Sequence, residues 1–365
     1  MASPSLTESN ILSTSQIGIL GSVFSVMFAI GRLVNGVLAD RTPPWIMLSA
    51  GLVSAGISNV AIGFLPPFVA ILMLWSINAY AQSMLWGSVL CVVSSVYDSE
   101  TAQKRMPYMG AAVALGNVLG ILIGSLMINT FGVKFAFIVP GLITVFIAEL
   151  VLFATRGIPA PKLQEEKRIS PFKLIKESSV LKMILPAMCH GVMKDNISLW
   201  MAFFFVSSYG IDLNRSAGFT LFVPIIGLVG RLLYPLLFTL FGKNEHRVSR
   251  FGFIICIVSS CVLCIKSVPP LLSAICLALI YASVSLINSS LLSVFPLRFK
   301  KSGNVASVSG IMDFCSYLGA GIGSVFYGFA IENGGFITVF VSWIIISFVS
   351  ATVFSGCKKQ STIYN

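Results

Sequence analysis

Lys194 lies near the middle of an apolar run at 180–208, with Asp195 beside it and His190 about one helical turn before it. An ionised side chain at the centre of a bilayer costs at least about 2.5–3.5 kcal/mol on insertion scales, so a lysine placed there either meets an anion or is held in a salt bridge. A lysine binds phosphate as a point charge, without the bidentate fork of arginine. Asp195 and Asp313 are its candidate ion-pair partners. Asp313, itself inside an apolar run, is alternatively a proton carrier. Arg32 precedes Arg41 by nine residues, about 13 Å along a helix and deeper than a side chain snorkelling to the headgroups favours. Arg32 and Arg231 are either walls of a basic cavity that attracts an anion or inter-helix partners. Asn78, Gln82 and Trp86 recur at four-residue spacing and share one helix face, with Trp75 nearby. Amide hydrogen bonds and an aromatic wall suit an organic solute; the alternative is inter-helix bonding, about 0.6 kcal/mol per contact.

These residues favour binding over catalysis. Neither His190 nor His246 has the companions of a catalytic triad or a zinc site. Cys261 and Cys264 form a C-x-x-C inside an apolar run without a second ligand pair. No Walker loop is present, which argues against transport driven by bound ATP. The expectation is a protein that is not an enzyme, with no cofactor and no metal.

The elements that position these residues are membrane helices. Hydrophobic residues make up 56% of the chain, charged residues 10%, and the mean hydropathy is +0.92, which leaves no way to cover a soluble surface. Apolar runs fall at 14–38, 45–64, 68–96, 106–130, 135–155, 180–208, 216–241, 251–267, 269–296, 305–331 and 335–356. Each is long enough, or nearly so, to cross a bilayer of roughly 30 Å as a helix, and backbone polar groups in lipid require helices rather than open strands. The first two runs meet at a tight turn, Asp40-Arg41, ended by Pro43-Pro44.

Of the 24 Lys and Arg residues, Arg32, Lys194 and Arg231 lie deep within runs, and Lys134, Arg215 and Lys266 fall in one set of loops or at the run ends that border it. All the others fall in the alternate set or at its bordering run ends, and that set is therefore cytoplasmic. The expected location is an integral membrane protein of the plasma membrane, with the C-terminus cytoplasmic and the N-terminus outside. This asymmetry accounts for most of the +11 net charge, so no nucleic-acid partner is needed. The polar stretch from Arg156 to Glu177 divides the chain into an N-terminal bundle (1–155, five spans), a cytoplasmic linker (156–179), a C-terminal bundle (180–356, six spans) and a tail (357–365). Within the linker, RISPFKLIKE suits a short helix on the membrane surface.

A shift of 199 residues lays Gly31-Arg32-Leu33 on Gly230-Arg231-Leu232, Leu119-Gly120 on Leu318-Gly319 and Gly124-Ser125 on Gly323-Ser324. Parallel repeats are a way transporters build a site between two halves. The second copy has lost the charged turn, with Thr239 for Asp40 and Leu240 for Arg41. Gly116, Gly120 and Gly124 form a GxxxGxxxG ridge that predicts close helix contact.

Gly36-Val37-Leu38-Ala39-Asp40-Arg41 resembles the short loop that follows the second helix of the major facilitator superfamily, and the five-plus-six division resembles its two six-helix bundles with the first helix absent. The run Asn78 to Trp86, then Arg105 and Asn117-Val118-Leu119-Gly120, and SGIMDFCSYLGAGIGSVFYGFAIENGGF resemble the organophosphate:phosphate antiporters, the branch of glycerol-phosphate and hexose-phosphate carriers. The resemblance implies an all-α polytopic fold that rocks two bundles around a midplane site. It puts Lys194 at a substrate-binding arginine of the seventh family helix and Arg32 at a basic residue of the second. It also puts Gly116 where phosphate-exchanging relatives carry a histidine.

The function expected is secondary active transport of a small organic anion, with a sugar phosphate or glycerol phosphate in exchange for phosphate as the candidate. Lys194, Arg32, Arg231, Asn78, Gln82 and Trp86 are its substrate-binding candidates, and Asp313, Asp195 and His190 are its coupling candidates. Gly36, Asp40, Arg41 and Arg105 form the gate, in which Asp40 meets Arg41, Arg105 or the positive N-terminal end of a helix and favours the state closed to the cytoplasm. The alternatives are a proton-coupled carrier of another organic anion, a non-transporting sensor with a protein partner, and an inactive fragment. The partners implied are an anionic small molecule and the bilayer.

Overall fold

The computed structural model describes residues 11–158, 171–211, 213–265 and 267–355. The expected tail lies outside them, as does most of the linker. Among the described residues the chain forms eleven long helices and one short one, with no strand: α1 Thr14–Ala39, α2 Pro44–Gly63, α3 Phe68–Val96, α4 Ser99–Phe131, α5 Phe135–Thr155, α6 Pro171–Ile175, α7 Ser178–Tyr209, α8 Leu213–Leu240, α9 Glu245–Leu263, α10 Pro270–Asn288, α11 Val305–Gly334 and α12 Phe336–Ser355. Helix α10 runs on through a π-helical segment, Ser289–Val294, and a 3-10 turn, Phe295–Phe299.

Local chemistry sets the starts. Ser13 caps α1 in a reciprocal box, its hydroxyl accepting from Gln16 N–H at 3.2 Å while its own N–H donates to Gln16 Oε1 at 2.9 Å. Prolines 43, 67 and 269 precede α2, α3 and α10, where a missing N–H has no intrahelical use. Asn244 caps α9 through the N–H groups of His246 and Arg247. That cap starts α9 six residues before the apolar run expected from 251. Helix α4 likewise begins ahead of its run, and both extensions carry charged residues at the membrane edge. Of RISPFKLIKE, the described part forms the short helix α6.

Among the described residues, nine helices are long and apolar enough to cross a membrane. Their outward faces carry Phe153, Leu271 and Phe329, each at least 66% exposed, a surface stable in lipid and not in water. Hydroxyls that would otherwise stand unsatisfied there bond back to their own helices, as in Ser76 to Leu72 O and Thr144 to Pro140 O, both at 2.7 Å.

The described residues form two compact units. The first takes the chain up to Ser99, Gly116–Pro171 and Phe299–Phe314; the second takes Glu100–Leu115, Phe172–Arg298 and the chain from Cys315. Helices α4 and α11 are therefore each shared between the two. In the first unit α2 packs against α3 and α5, and α1 against α3. Gly56 and Gly141 bring α2 and α5 into backbone contact, since a Cβ on either would lie 2.8 Å from the other's carbonyl oxygen. In the second unit α9 packs on α10 and α12, and α8 on α7 and α10, around a core that includes Phe204, Phe205, Tyr327 and Trp343.

The GxxxGxxxG ridge does not close a helix contact as expected. A Cβ at Gly116, Gly120 or Gly124 would meet nothing within 4 Å among the described residues. The repeat-related glycines on α11 do: a Cβ at Gly319 would collide with Met188 O, and one at Gly323 would lie 2.8 Å from Asn196 Nδ2. A GxxxG pattern marks a face that permits close approach, and whether a neighbour arrives is decided elsewhere.

Candidate functional site

In the first unit, α1 and the first turns of α11 run together. Gly36 lets them touch, because a Cβ there would lie 2.6 Å from Ala306 O. At the end of this seam Asp40 is 3% exposed and caps α11: its Oδ1 accepts from Ala306 N–H at 2.8 Å and its Oδ2 from Ser307 N–H at 2.7 Å. An anion at a helix N-terminus satisfies orphan donors and meets the positive end of the dipole. The Cys91 thiol packs behind it, 3.7 Å from Oδ1 and 3.5 Å from Ala39 O. Burial pushes the Asp40 carboxyl up to about 6, against hydrogen bonds from Ser307, Ala306 and Cys91 that pull it down. Of the partners expected for Asp40, the one seen is the helix end. Arg41 and Arg105 are exposed. A second charge-to-dipole contact joins the same pieces of chain, Lys300 Nζ donating to Tyr97 O just beyond the C-terminal end of α3 at 2.8 Å.

About two turns along the seam from Asp40, Arg32 Nη2 lies 3.2 Å from Asp313 Oδ2, with the side chains 11% and 6% exposed. The Phe28 ring stands 5.1 Å from the Arg32 Cζ. Asp313 therefore balances Arg32, where the sequence left Lys194 as its candidate partner. On α3, Asn78 is fully buried and turned to α2, donating to Ala55 O at 3.0 Å and Asn59 Oδ1 at 3.1 Å. Gln82 donates to Asn78 Oδ1. The two amides thus form one network with Asn59, which sequence reasoning did not single out, and Trp86 is half-buried one turn further on.

The second unit holds the other cluster. Lys194 Nζ is 3.5 Å from Asp195 Oδ1 and 5.4 Å from the centre of the Tyr317 ring. Tyr281 and Arg231 stand within electrostatic reach of it. His190, fully buried, faces Ser316 Oγ at 3.1 Å through Nδ1 and Asn288 Nδ2 at 3.5 Å through Nε2. Arg231 donates to the backbone carbonyl of Gly110 on α4. Lys194, His190, Asp195 and Arg231 are thus gathered together. Tyr281, Asn288, Ser316 and Tyr317 are the additions. Tyr281 and Asn288 sit two turns apart on one face of α10, a period readable in the sequence. Elsewhere in this unit Glu245, buried at the start of α9, pairs with Arg298 at the end of the 3-10 turn.

Cations, phenols and amides in a low-dielectric setting attract and orient an anion. A phosphoglycerate transporter protein of Salmonella typhimurium is 24% identical over 92% of this chain and 79% of its own length. The sugar phosphate exchanger 3 of Bos taurus is 21% identical over 94% of this chain and 79% of its own. The membrane sensor protein UhpC of Salmonella typhimurium is 25% identical over 43% of this chain, and the match spans about a third of the sensor (36%). Among solved structures, the transporter FucP in its outward conformation superposes with a TM-score of 0.77 at 16% identity, covering 94% of this chain and 89% of its own. These relatives agree with the antiporter branch suggested by the sequence, and the superposition with FucP shows the fold. The profile of the Major Facilitator Superfamily matches residues 1–324, and the chain belongs to that family.

Proposed function

We propose that this chain is a secondary transporter for a small phosphorylated organic anion, working by alternating access between an N-terminal bundle (1–155) and a C-terminal bundle (180–356). The observation that carries the reading is the cation cluster of Lys194 and Arg231 beside Tyr317, with Tyr281 in electrostatic reach, set in apolar helices, in a chain with relatives named for phosphoglycerate and sugar phosphate. In this reading Lys194, Arg231 and Arg32 supply charge. Asn78, Gln82 and Trp86 supply fit, and Asp195, Asp313 and His190 carry coupling. Gly36, Asp40, Arg41 and Arg105 form the gate, on the cytoplasmic side of the plasma membrane together with the C-terminus.

Proteoliposomes loaded with labelled phosphate and diluted into 3-phosphoglycerate or glucose 6-phosphate test it. Exchange that falls at least tenfold in Lys194→Gln is the expected result. Uptake driven by a proton gradient alone, with no phosphate exchange, overturns the antiport half of the reading in favour of a proton-coupled carrier. The similarity to UhpC favours one second reading, a sensor. Co-purification with a signalling partner and no flux for any phosphorylated anion is its signature.

A further inference from the structure

We infer that Gln82 is held by its neighbours as an oriented hydrogen-bond acceptor, which makes polyhydroxylated phosphate monoesters, and not phosphate esters of a bare carbon chain, the preferred substrate class. The inference rests on the transporter reading and on the proposed place of Gln82 toward substrate. Its basis is the bonding of one buried amide. Asn78 Nδ2 donates to Ala55 O at 3.0 Å and to Asn59 Oδ1 at 3.1 Å. A backbone carbonyl only accepts, so the nitrogen end of Asn78 lies toward α2. Turning this amide over would set two oxygens against each other at a fully buried position.

Orientation passes from that anchor to the next amide. With both N–H groups of Asn78 engaged on α2, its Oδ1 is the end left for Gln82, one turn further along α3, and it accepts from Gln82 Nε2. Gln82 therefore turns its nitrogen toward Asn78 and its Oε1 away. The two ends of a glutamine amide have nearly the same shape, and here a carbonyl of α2 decides which one α3 presents. Among the described residues no donor meets Oε1. Gln82 is partly exposed and its Oε1 is an open atom, not an enclosed one, so a solute reaches it.

This arrangement selects by the organic part of the solute. What Gln82 has left to offer is the pair of lone pairs on Oε1 and one N–H of Nε2. A hydroxyl donates to the oxygen, and an adjacent hydroxyl accepts the remaining N–H. A saturated chain takes water from Oε1 and returns no bond, and an acceptor left bare is the costly case. Asn78 acts through Gln82 and is a positioning residue.

The full chain in detergent, titrated calorimetrically with inorganic phosphate, glycerol 3-phosphate and propyl phosphate, tests the assignment. The two esters share a three-carbon chain and differ in hydroxyls. The wild type is expected to bind glycerol 3-phosphate about tenfold tighter than propyl phosphate. Gln82→Leu, similar in size and without a polar end, is expected to bind the two esters within about twofold of each other, with propyl phosphate binding unchanged. Asn78→Leu leaves Gln82 in place but free to turn over, and is expected to lose most of the preference; if it does not fold, Gln82→Leu decides. A merely structural role weakens both esters alike and leaves their ratio intact. Equal binding of the esters by the wild type, a ratio that Gln82→Leu or a folded Asn78→Leu leaves unchanged, or binding of phosphate and neither ester overturns the inference while the transporter reading stands. Absence of binding for all three anions overturns both.

Discussion

The Asp40 contact makes a quantitative prediction about pH. Its carboxyl stands at about 6 while capping α11, against an ordinary value of 3.8, which it regains when the seam parts and water reaches it. The folded value is raised, so the closed seam binds the proton more tightly than the open one. Its stabilisation is fully present below about pH 4 and is lost as pH rises through 6. Two units correspond to about 3 kcal/mol over the whole range, and the part falling between pH 5 and 7 is about a factor of ten in the closed-to-open ratio. Cys91, 1% exposed and packed behind Asp40, is a natural reporter of opening. Its modification by methyl methanethiosulfonate, followed by peptide mass spectrometry, is expected to accelerate about tenfold more from pH 5 to 7 in the wild type than in Asp40→Asn. The variant has no carboxylate to titrate, and dividing by it removes the intrinsic pH dependence of the thiol. The fully buried Cys256 of the other unit reports global unfolding. A wild-type-to-variant ratio flat between pH 5 and 7, with Cys256 protected, refutes the reasoning.

Glu245→Gln strands the Arg298 charge at a half-buried site, and the expected loss of about 3–5 kcal/mol appears as a lower melting temperature, largely restored when Arg298→Gln is added. Gly319→Ala drives a methyl into Met188 O and is expected to cut thermal stability, whereas Gly116→Ala, with open space around it, is expected to gain up to about 1 kcal/mol from helix propensity. Parallel thermal melts in one detergent compare the two. If Lys300→Gln, which deletes the donor to Tyr97 O, leaves Cys91 reactivity unchanged both alone and combined with Asp40→Asn, then the Lys300 contact plays no part in holding the seam.

The helices were legible because an apolar run of membrane length admits few other structures, and the runs from 14, 68 and 135 match α1, α3 and α5 to within a residue at either end. Helices α4 and α9 start early because caps and charged first turns carry a helix past the edge of its apolar stretch, which a hydropathy criterion does not see. Asp40 at a helix end was readable, since a carboxylate at that turn has few uses. The identity of the helix was not, because Ala306 and Ser307 offer backbone N–H groups that any sequence has. Pairings stayed open for the same reason. Arg32, Lys194, Asp195 and Asp313 allow several neutral combinations, and which one forms depends on helix rotation, a tertiary quantity. Glu245 and Arg298, more than fifty residues apart in sequence, meet because α10 changes its winding between them.

That change of winding stores a residue. Between Ser289 and Val294 the hydrogen bonds widen, and Phe295 N–H reaches back five residues to Ser290 O, so this stretch holds one residue more than an α-helix of equal rise. Asn288, just before it, looks to His190. Ser290 looks to Ser249 and to the Glu245 carbonyl, and Arg298, beyond it, to Glu245 itself. Removing one residue from this stretch would let it close into ordinary α-helix of nearly the same rise and total winding, because each π-helical residue turns the chain less than an α-helical one. Asn288 and Arg298 would keep their facing toward their partners. A one-residue gap, which in regular α-helix turns one side by about 100° relative to the other, would here be absorbed.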